Sequence, residues 1–262
     1  ATVSCIFGMG NPEDYKAGII RLQKDQIISR NQFLYRLVDS LYSRTEGELN
    51  RGQFRVKGDT VDIHLPYIER GLRIHSFGDQ IEQIDEIELS SGKKISSMEF
   101  AAIFPANLYV APKDRLKSIL VEIENELFEQ KKYFESEGKY LEAKRIEERT
   151  QLDLEMMREL GYCSGIENYS RFFDGRVKGT RPFCLLDYFP DDYLLVIDES
   201  HVTIPQIRGM WGGDRARKMN LVQFGFRLPS ALDNRPLNFE EFEQQLNQVI
   251  FVSATPGDYE MS

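Results

Sequence analysis

The stretch Leu194-Leu195-Val196-Ile197-Asp198-Glu199-Ser200-His201 decides how the rest of the chain is read. Four apolar β-formers running into two acids describe a buried parallel strand that delivers carboxylates to its C-terminal edge. Nucleotide hydrolysis needs two acids at such an edge. Asp198 is suited to hold Mg²⁺ through its water shell, and Glu199 to polarise the attacking water as general base. The plain alternative is a strand followed by an exposed turn. Some fifty residues on, Val249-Ile250-Phe251-Val252-Ser253-Ala254-Thr255-Pro256-Gly257 repeats the theme with small hydroxyl residues in place of the acids. Ser253 and Thr255 can hydrogen-bond across neighbouring strand ends; a strand closed by a Pro-Gly turn is the simpler reading.

Around these two strands the chain has an ordinary soluble composition: 262 residues, 41% hydrophobic and 29% charged. No run of apolar residues is long enough to cross a membrane as a helix, and Ala1 to Cys5 does not read as a secretory signal. The first residue is not Met and the opening reads as a strand, so the expectation is a piece of something longer. Cys5, Cys163 and Cys184 form no CxxC pair, which points to free buried thiols in a reducing compartment. His64 has no companion His or Cys and is not read as a metal ligand. The net charge of −9 argues against general nucleic-acid wrapping but leaves room for a local basic groove. Between Pro205 and Arg235 the cations Arg208, Arg215, Arg217, Lys218, Arg227 and Arg235 face only Asp214 and Asp233.

Four regions follow. Residues 1–20 lead from an apolar strand into a helix with Asn11 as N-cap and Pro12 as first helical residue. Residues 21–110 combine a helix from Ser29 or Asn31 to Tyr42 with strand-like alternation. Phe54 and Val56 face one way, Arg55 and Lys57 the other, and a Gly58-Asp59 turn leads to Val61, Ile63 and Leu65. Leu72 to His75 and Ile81 to Ile87 continue the pattern, and Ser90 to Lys93 makes another turn. Residues 111–182 are helical, with Leu116, Ile119, Leu120, Ile123 and Leu127 at helical spacing and a charge-laced outer face. Residues 183–262 alternate strand and helix, as an α/β domain does, and the hairpin-rich second region reads as an insertion into that domain.

An Asp-Glu-x-His string followed by Ser-Ala-Thr resembles motifs II and III of superfamily 2 helicases. Longer strings narrow the likeness: Gly161 to Arg171, Leu186 to Pro190, Asp198 to Pro205, Gly213 to Lys218 and Gly225 to Asp233 closely resemble the UvrB family, damage-verifying subunits of the bacterial excision nuclease. The resemblance implies an α/β fold: part of a RecA-like P-loop NTPase domain, with an inserted α+β docking domain and a helical subdomain. It implies ATP and Mg²⁺ as ligands of the intact protein, with neither held tightly by this stretch alone. UvrA, damaged DNA and UvrC are the implied partners, in a cytoplasmic repair pathway of the SOS response. Asp198 and Glu199 match the family's magnesium and catalytic acids, and His201, Ser253 and Thr255 its coupling residues; a structural role for His201 is the alternative. Arg44, Arg55 and Arg73 fall, as exposed cations, at its UvrA-docking positions, and Lys57 at another. His75 stands where many relatives carry Glu. Arg208, Arg215, Arg217, Lys218 and Arg227 are expected to face the DNA path.

Against the family pattern, no Gly-x-x-x-x-Gly-Lys-Ser/Thr phosphate loop occurs in these 262 residues. The aromatic hairpin and the second motor domain with its arginine are also expected outside them. The stretch on its own is therefore expected to hydrolyse no ATP. The rival reading is a non-enzymatic UvrA-binding adaptor, as in the transcription–repair coupling factor; the intact acidic pair favours the motor.

Overall fold

A computed structural model describes residues 2–110 and 113–261. Ala1, Ala111, Pro112 and Ser262, which three of the expected region boundaries touch, lie outside the described residues. Two compact units are present: residues 13–113, here the sheet unit, and residues 1–12 with 114–262, here the carboxylate unit.

The opening does not form the expected strand. Val3–Ile6 is a 3₁₀ turn, because the Thr2 side chain accepts from Ser4 N–H and Phe7 N–H closes on Ser4 C=O. Helix α1 (Pro12–Ala17) begins at Pro12, as the fixed φ of proline favours.

The sheet unit then runs β1 (Ile20–Gln23), α2 (Arg30–Asp39), β2 (Ser43–Arg44), β3 (Gln53–Lys57), β4 (Thr60–His64), β5 (Arg70–Phe77), β6 (Gln80–Glu88), β7 (Lys94–Met98) and β8 (Phe100–Ile103). Six strands lie in chain order β2 to β7, antiparallel except for the β2–β3 pair; β1 and β8 form a separate antiparallel pair. Ser29 caps α2 by accepting from Gln32 N–H. The helix ends before Tyr42, at Asp39, because Leu41 adopts a left-handed backbone. Gly58, at φ +55°, makes the tight β3–β4 hairpin. One face of the sheet buries Phe54, Val61, Ile63, Leu72, Ile74, Ile81 and Ile84 against Phe33, Leu37 and the β1–β8 pair. At roughly 1.5–3 kcal/mol per buried side chain, this apolar layer is the main force holding the unit.

The carboxylate unit continues with α3 (Lys113–Ser136), α4 (Tyr140–Leu160), α5 (Ser170–Asp174), β9 (Leu194–Asp198), α6 (Ser200–Gln223), α7 (Phe239–Glu243), β10 (Gln248–Val252) and α8 (Asp258–Met261). Helices α3 and α4 form an antiparallel hairpin crossed by Lys131–Glu147 at 2.7 Å and by Glu124–Arg158. Gly225, just past α6, cannot be another residue: at φ +70° its Cβ would sit 2.5 Å from the Glu142 carbonyl oxygen of α4. A second core joins Ile6, Cys184, Leu186, Ile197, Ile204, Ile207, Leu237 and Phe242. Burial pushes the Cys163 and Cys184 thiols up to about 12, so both stay protonated and inert.

Candidate functional site

Strands β9 and β10 are parallel and in register from Gln248–Leu194 to Val252–Asp198, so their C-terminal ends finish side by side. That alignment brings Asp198, Glu199 and Ser253 to one edge. Glu199 has φ +45° and ψ +49°, a left-handed conformation costly for a side chain with a Cβ. The kink ends the strand, starts α6 at Ser200 and leaves the Glu199 side chain 68% exposed. One Asp198 oxygen accepts from Glu199 N–H at 3.0 Å. Among the described residues neither acid is ion-paired with Lys or Arg, and no cluster of three His, Cys, Asp or Glu side chains could hold a metal unaided. A lone exposed carboxylate suits Mg²⁺, which usually keeps several waters and takes the rest of its shell from phosphates.

The hydroxyl of Ser253 lies 2.8 Å from His201 Nδ1, and the same oxygen accepts from Thr255 N–H at 3.1 Å. His201 Nδ1 is 3.6 Å from Glu199. The two strand ends are thus linked through one imidazole. Sequence reading missed Glu260, which accepts from Gly257 N–H at 2.9 Å beside the end of β10. The only signal for it was the acidic tail after the Pro-Gly turn.

In the sheet unit the polar face carries a continuous row. Cross-strand partners run Arg55–Asp62, Asp62–Arg73, Arg73–Asp85 and Asp85–Ser97, one residue from each of β3 to β7. Asp62 is 2% exposed. Its Oδ1 accepts from Arg73 Nε at 2.6 Å, and its Oδ2 accepts from Arg73 Nη2 at 3.0 Å and Arg55 Nη2 at 3.3 Å. Burial pushes the Asp62 carboxyl up, but Arg73 and then Arg55 outweigh it and hold it below the usual range. Asp85 collects Gln83, Ser97 at 2.6 Å, Lys94 at 3.1 Å and His75 at 3.3 Å. Arg55 and Arg73 are therefore not exposed as expected: about three quarters of each side chain is covered. Arg44 and Lys57 are exposed. An open groove of about 950 Å³ is lined by Arg55, Lys57, His64 and Arg73 and equally by Glu48, Glu69 and Glu88, so it is no bare cationic patch.

The basic run does not form one face. Lys218 is buried, its ammonium 2.9 Å from Asp214 and bonded to the Asn234 carbonyl, which removes it from any surface role. Burial lowers its pKa and Asp214 offsets only part of this. Arg208 stacks on Phe239 and Tyr259, and Arg215, two turns along the same side of α6, lies over Trp211. Arg217 points away on the opposite side, 3.0 Å from Asp214. Arg227 bonds the Phe226 carbonyl.

Comparison with known proteins gives this geometry a context. The family described as the UvrB interaction domain matches residues 20–109, and that described as the UvrB third helical domain matches residues 114–175. UvrABC system protein B of Cytophaga hutchinsonii is 60% identical over 261 residues, 100% of this chain. The chain belongs to the UvrB family. Proteins of the same name from Bacteroides fragilis and Bacteroides thetaiotaomicron are 60% and 58% identical, again over all of this chain. This UvrB-family chain spans 39% of the length of each of the three. The charged row lies inside the UvrB interaction domain, and α3 to α5 make up most of the UvrB third helical domain. Asp198, Glu199, His201 and Ser253 lie in neither matched region. No helix among the described residues is long and apolar enough to cross a membrane.

Proposed function

We propose that this chain works in bacterial nucleotide excision repair, as the part of an ATP-driven damage-verifying subunit that docks on UvrA and contributes two of the motor's acids. The observation that carries the reading is the strand edge where Asp198 and Glu199 meet the Ser253–His201 bond. Parallel β9 and β10 are read as part of a RecA-like sheet. There Asp198 would help to hold a Mg²⁺ that offsets charge on the phosphates of ATP, and Glu199 would take a proton from the attacking water. Glu199 sits on a left-handed backbone at the strand end, and its side chain is exposed. His201 joins this edge to Ser253, so a shift at either strand end is felt at the other. Of the basic run, Arg208, Arg215, Arg217 and Arg227 are left to meet DNA phosphates. UvrC acts with the same complex, in the cytoplasm.

Steady-state phosphate release by the full-length protein tests the motor. Glu199→Gln abolishes turnover while nucleotide binding stays near wild type, and Asp198→Asn also weakens Mg²⁺-dependent binding. Equal loss of nucleotide affinity in both contradicts these roles. A wild-type protein that binds UvrA and releases no phosphate is instead the adaptor. Docking is assigned to Arg44, Arg55, Lys57 and Arg73. Truncating an arginine whose partner is left buried and unpaired costs about 2–5 kcal/mol. If Arg55→Ala and Arg73→Ala, both folded by circular dichroism, bind UvrA as tightly as wild type, the docking face is elsewhere.

A further inference from the structure

The two arginines to which docking is assigned are held by one buried residue. Each guanidinium is fixed from two sides: Arg73 by Asp62 and the Gly92 carbonyl at 3.2 Å, Arg55 by Asp62 and the Gly47 carbonyl at 3.1 Å. Asp62 is the common point, on β4 between the two strands that carry the arginines. A guanidinium has five N–H donors in a rigid plane. Arg73 spends Nε and one hydrogen on each of Nη1 and Nη2, which leaves two donors on the terminal nitrogens. Arg55 likewise keeps one free hydrogen on each terminal nitrogen, and its buried Nε has no partner. One buried carboxylate thus occupies the near side of both forks and leaves their terminal donors for something else. Long side chains normally give up considerable freedom when they bind; here that freedom is already lost in the unbound protein.

We infer that Asp62 is a positioning residue for docking: it sets Arg55 and Arg73 at fixed spacing and angle, so that an acidic surface of the partner meets two preformed guanidinium forks. This rests on the proposed assignment of UvrA docking to those arginines. The competing expectation has the opposite sign. If Asp62 only neutralised the arginines, removing its charge would raise the local positive potential and tighten binding to an acidic partner. Positioning makes binding weaker when Asp62 is lost.

The test is a thermodynamic cycle in the full-length protein, titrating UvrA against wild type, Asp62→Asn, Arg73→Ala and the double variant. Asp62→Asn is expected to weaken binding by about tenfold, and by a clearly smaller factor when Arg73 is already absent and only Arg55 remains to be positioned, because contacting residues couple non-additively. Tighter or unchanged binding by folded Asp62→Asn overturns the inference. So does a loss equal in both backgrounds, which marks a purely structural role. If Arg73→Ala itself binds like wild type, the docking assignment has failed rather than this one. Should Asp62→Asn not fold, Asp62→Glu keeps the charge but displaces it by one methylene. That variant is expected to weaken binding and to shift the Arg73 Nε–H resonance in nitrogen-edited NMR; wild-type affinity there overturns the inference equally.

Discussion

Two sites, the charged row of the sheet unit and the β9 edge of the carboxylate unit, treat their carboxylates in opposite ways. In the sheet unit Asp62 and Asp85 are buried at 2% and 3% exposure and surrounded by donors. On the β9 edge Asp198 and Glu199 stand exposed, unpaired with any Lys or Arg among the described residues, and Glu199 sits on a strained backbone. Buried acids with saturated acceptors hold a surface in shape, whereas open acids keep their coordination and proton-accepting capacity for a ligand. On the function proposed above, the difference separates residues that organise a docking face from residues left free to do chemistry. Charge alone, which is the same in all four, does not.

Four measurements break or sharpen that contrast. The largest effect is expected from Asp62→Ala, which leaves two partly buried guanidiniums facing each other; breaking such a pair costs about 3–5 kcal/mol. Hydrogen exchange along β3 to β6 should show it. The effect has a definite pH course. The Asp62 and Asp85 carboxyls are held below their ordinary range, so their contribution is present above about pH 4 and lost as pH falls through their folded values. Asp62→Asn should flatten that acid loss of protection; an unchanged slope would mean that Asp62 is not ion-paired in solution.

A smaller effect of opposite sign is expected at the exposed edge. Glu199→Gly relieves a left-handed residue and should stabilise the carboxylate unit by about 1 kcal/mol, read as slower exchange in β9 and α6, while removing the proposed base. Destabilisation would show that Glu199 contributes to the fold. Smallest is Arg217→Ala. Its ion pair with Asp214 is two-thirds exposed on the arginine side, and such pairs are worth about 0.2–1 kcal/mol. A loss beyond about 1 kcal/mol would place Arg217 with the buried network instead of the surface.

Much of this arrangement is legible in the residues. The run Leu194 to Glu199 predicts a buried strand ending in acids; the strand forms beside β10, but only Ile197 is buried while Leu194 and Val196 are more than half exposed. Alternation through Phe54, Val56, Val61 and Ile63 predicts the covered face of the sheet. What escapes is whatever the far side of an element decides. Thr60-Val61-Asp62-Ile63-His64 alternates, so Asp62 reads as a solvated position; only strands on both sides, each bringing an arginine, bury it. Lys218 reads as one cation in a basic run, although Asp214 four residues earlier is the helical spacing of its buried partner. The apolar opening reads as a strand because the Thr2–Ser4 cap that winds it is a local hydrogen bond without periodicity. The β1–β8 pair joins segments some eighty residues apart, and neither is long enough to show a pattern.

The row from Arg55 to Asp85 has a consequence for how the sheet finds its pairing. A slip of one residue would turn the apolar side chains outward, and the hydrophobic effect forbids it. A slip of two preserves both faces, and the apolar layer discriminates poorly, since Val61, Ile63, Leu72 and Ile74 are near-interchangeable oily plugs. The charges do discriminate. Moving β4 by two places puts Thr60 or His64 between the arginines, and moving β5 by two puts Gly71 or His75 opposite Asp62. Either shift strands an ion in a half-dry environment. The alternating row therefore acts as a combination lock on strand alignment, refusing the misfolds that greasy packing alone would accept.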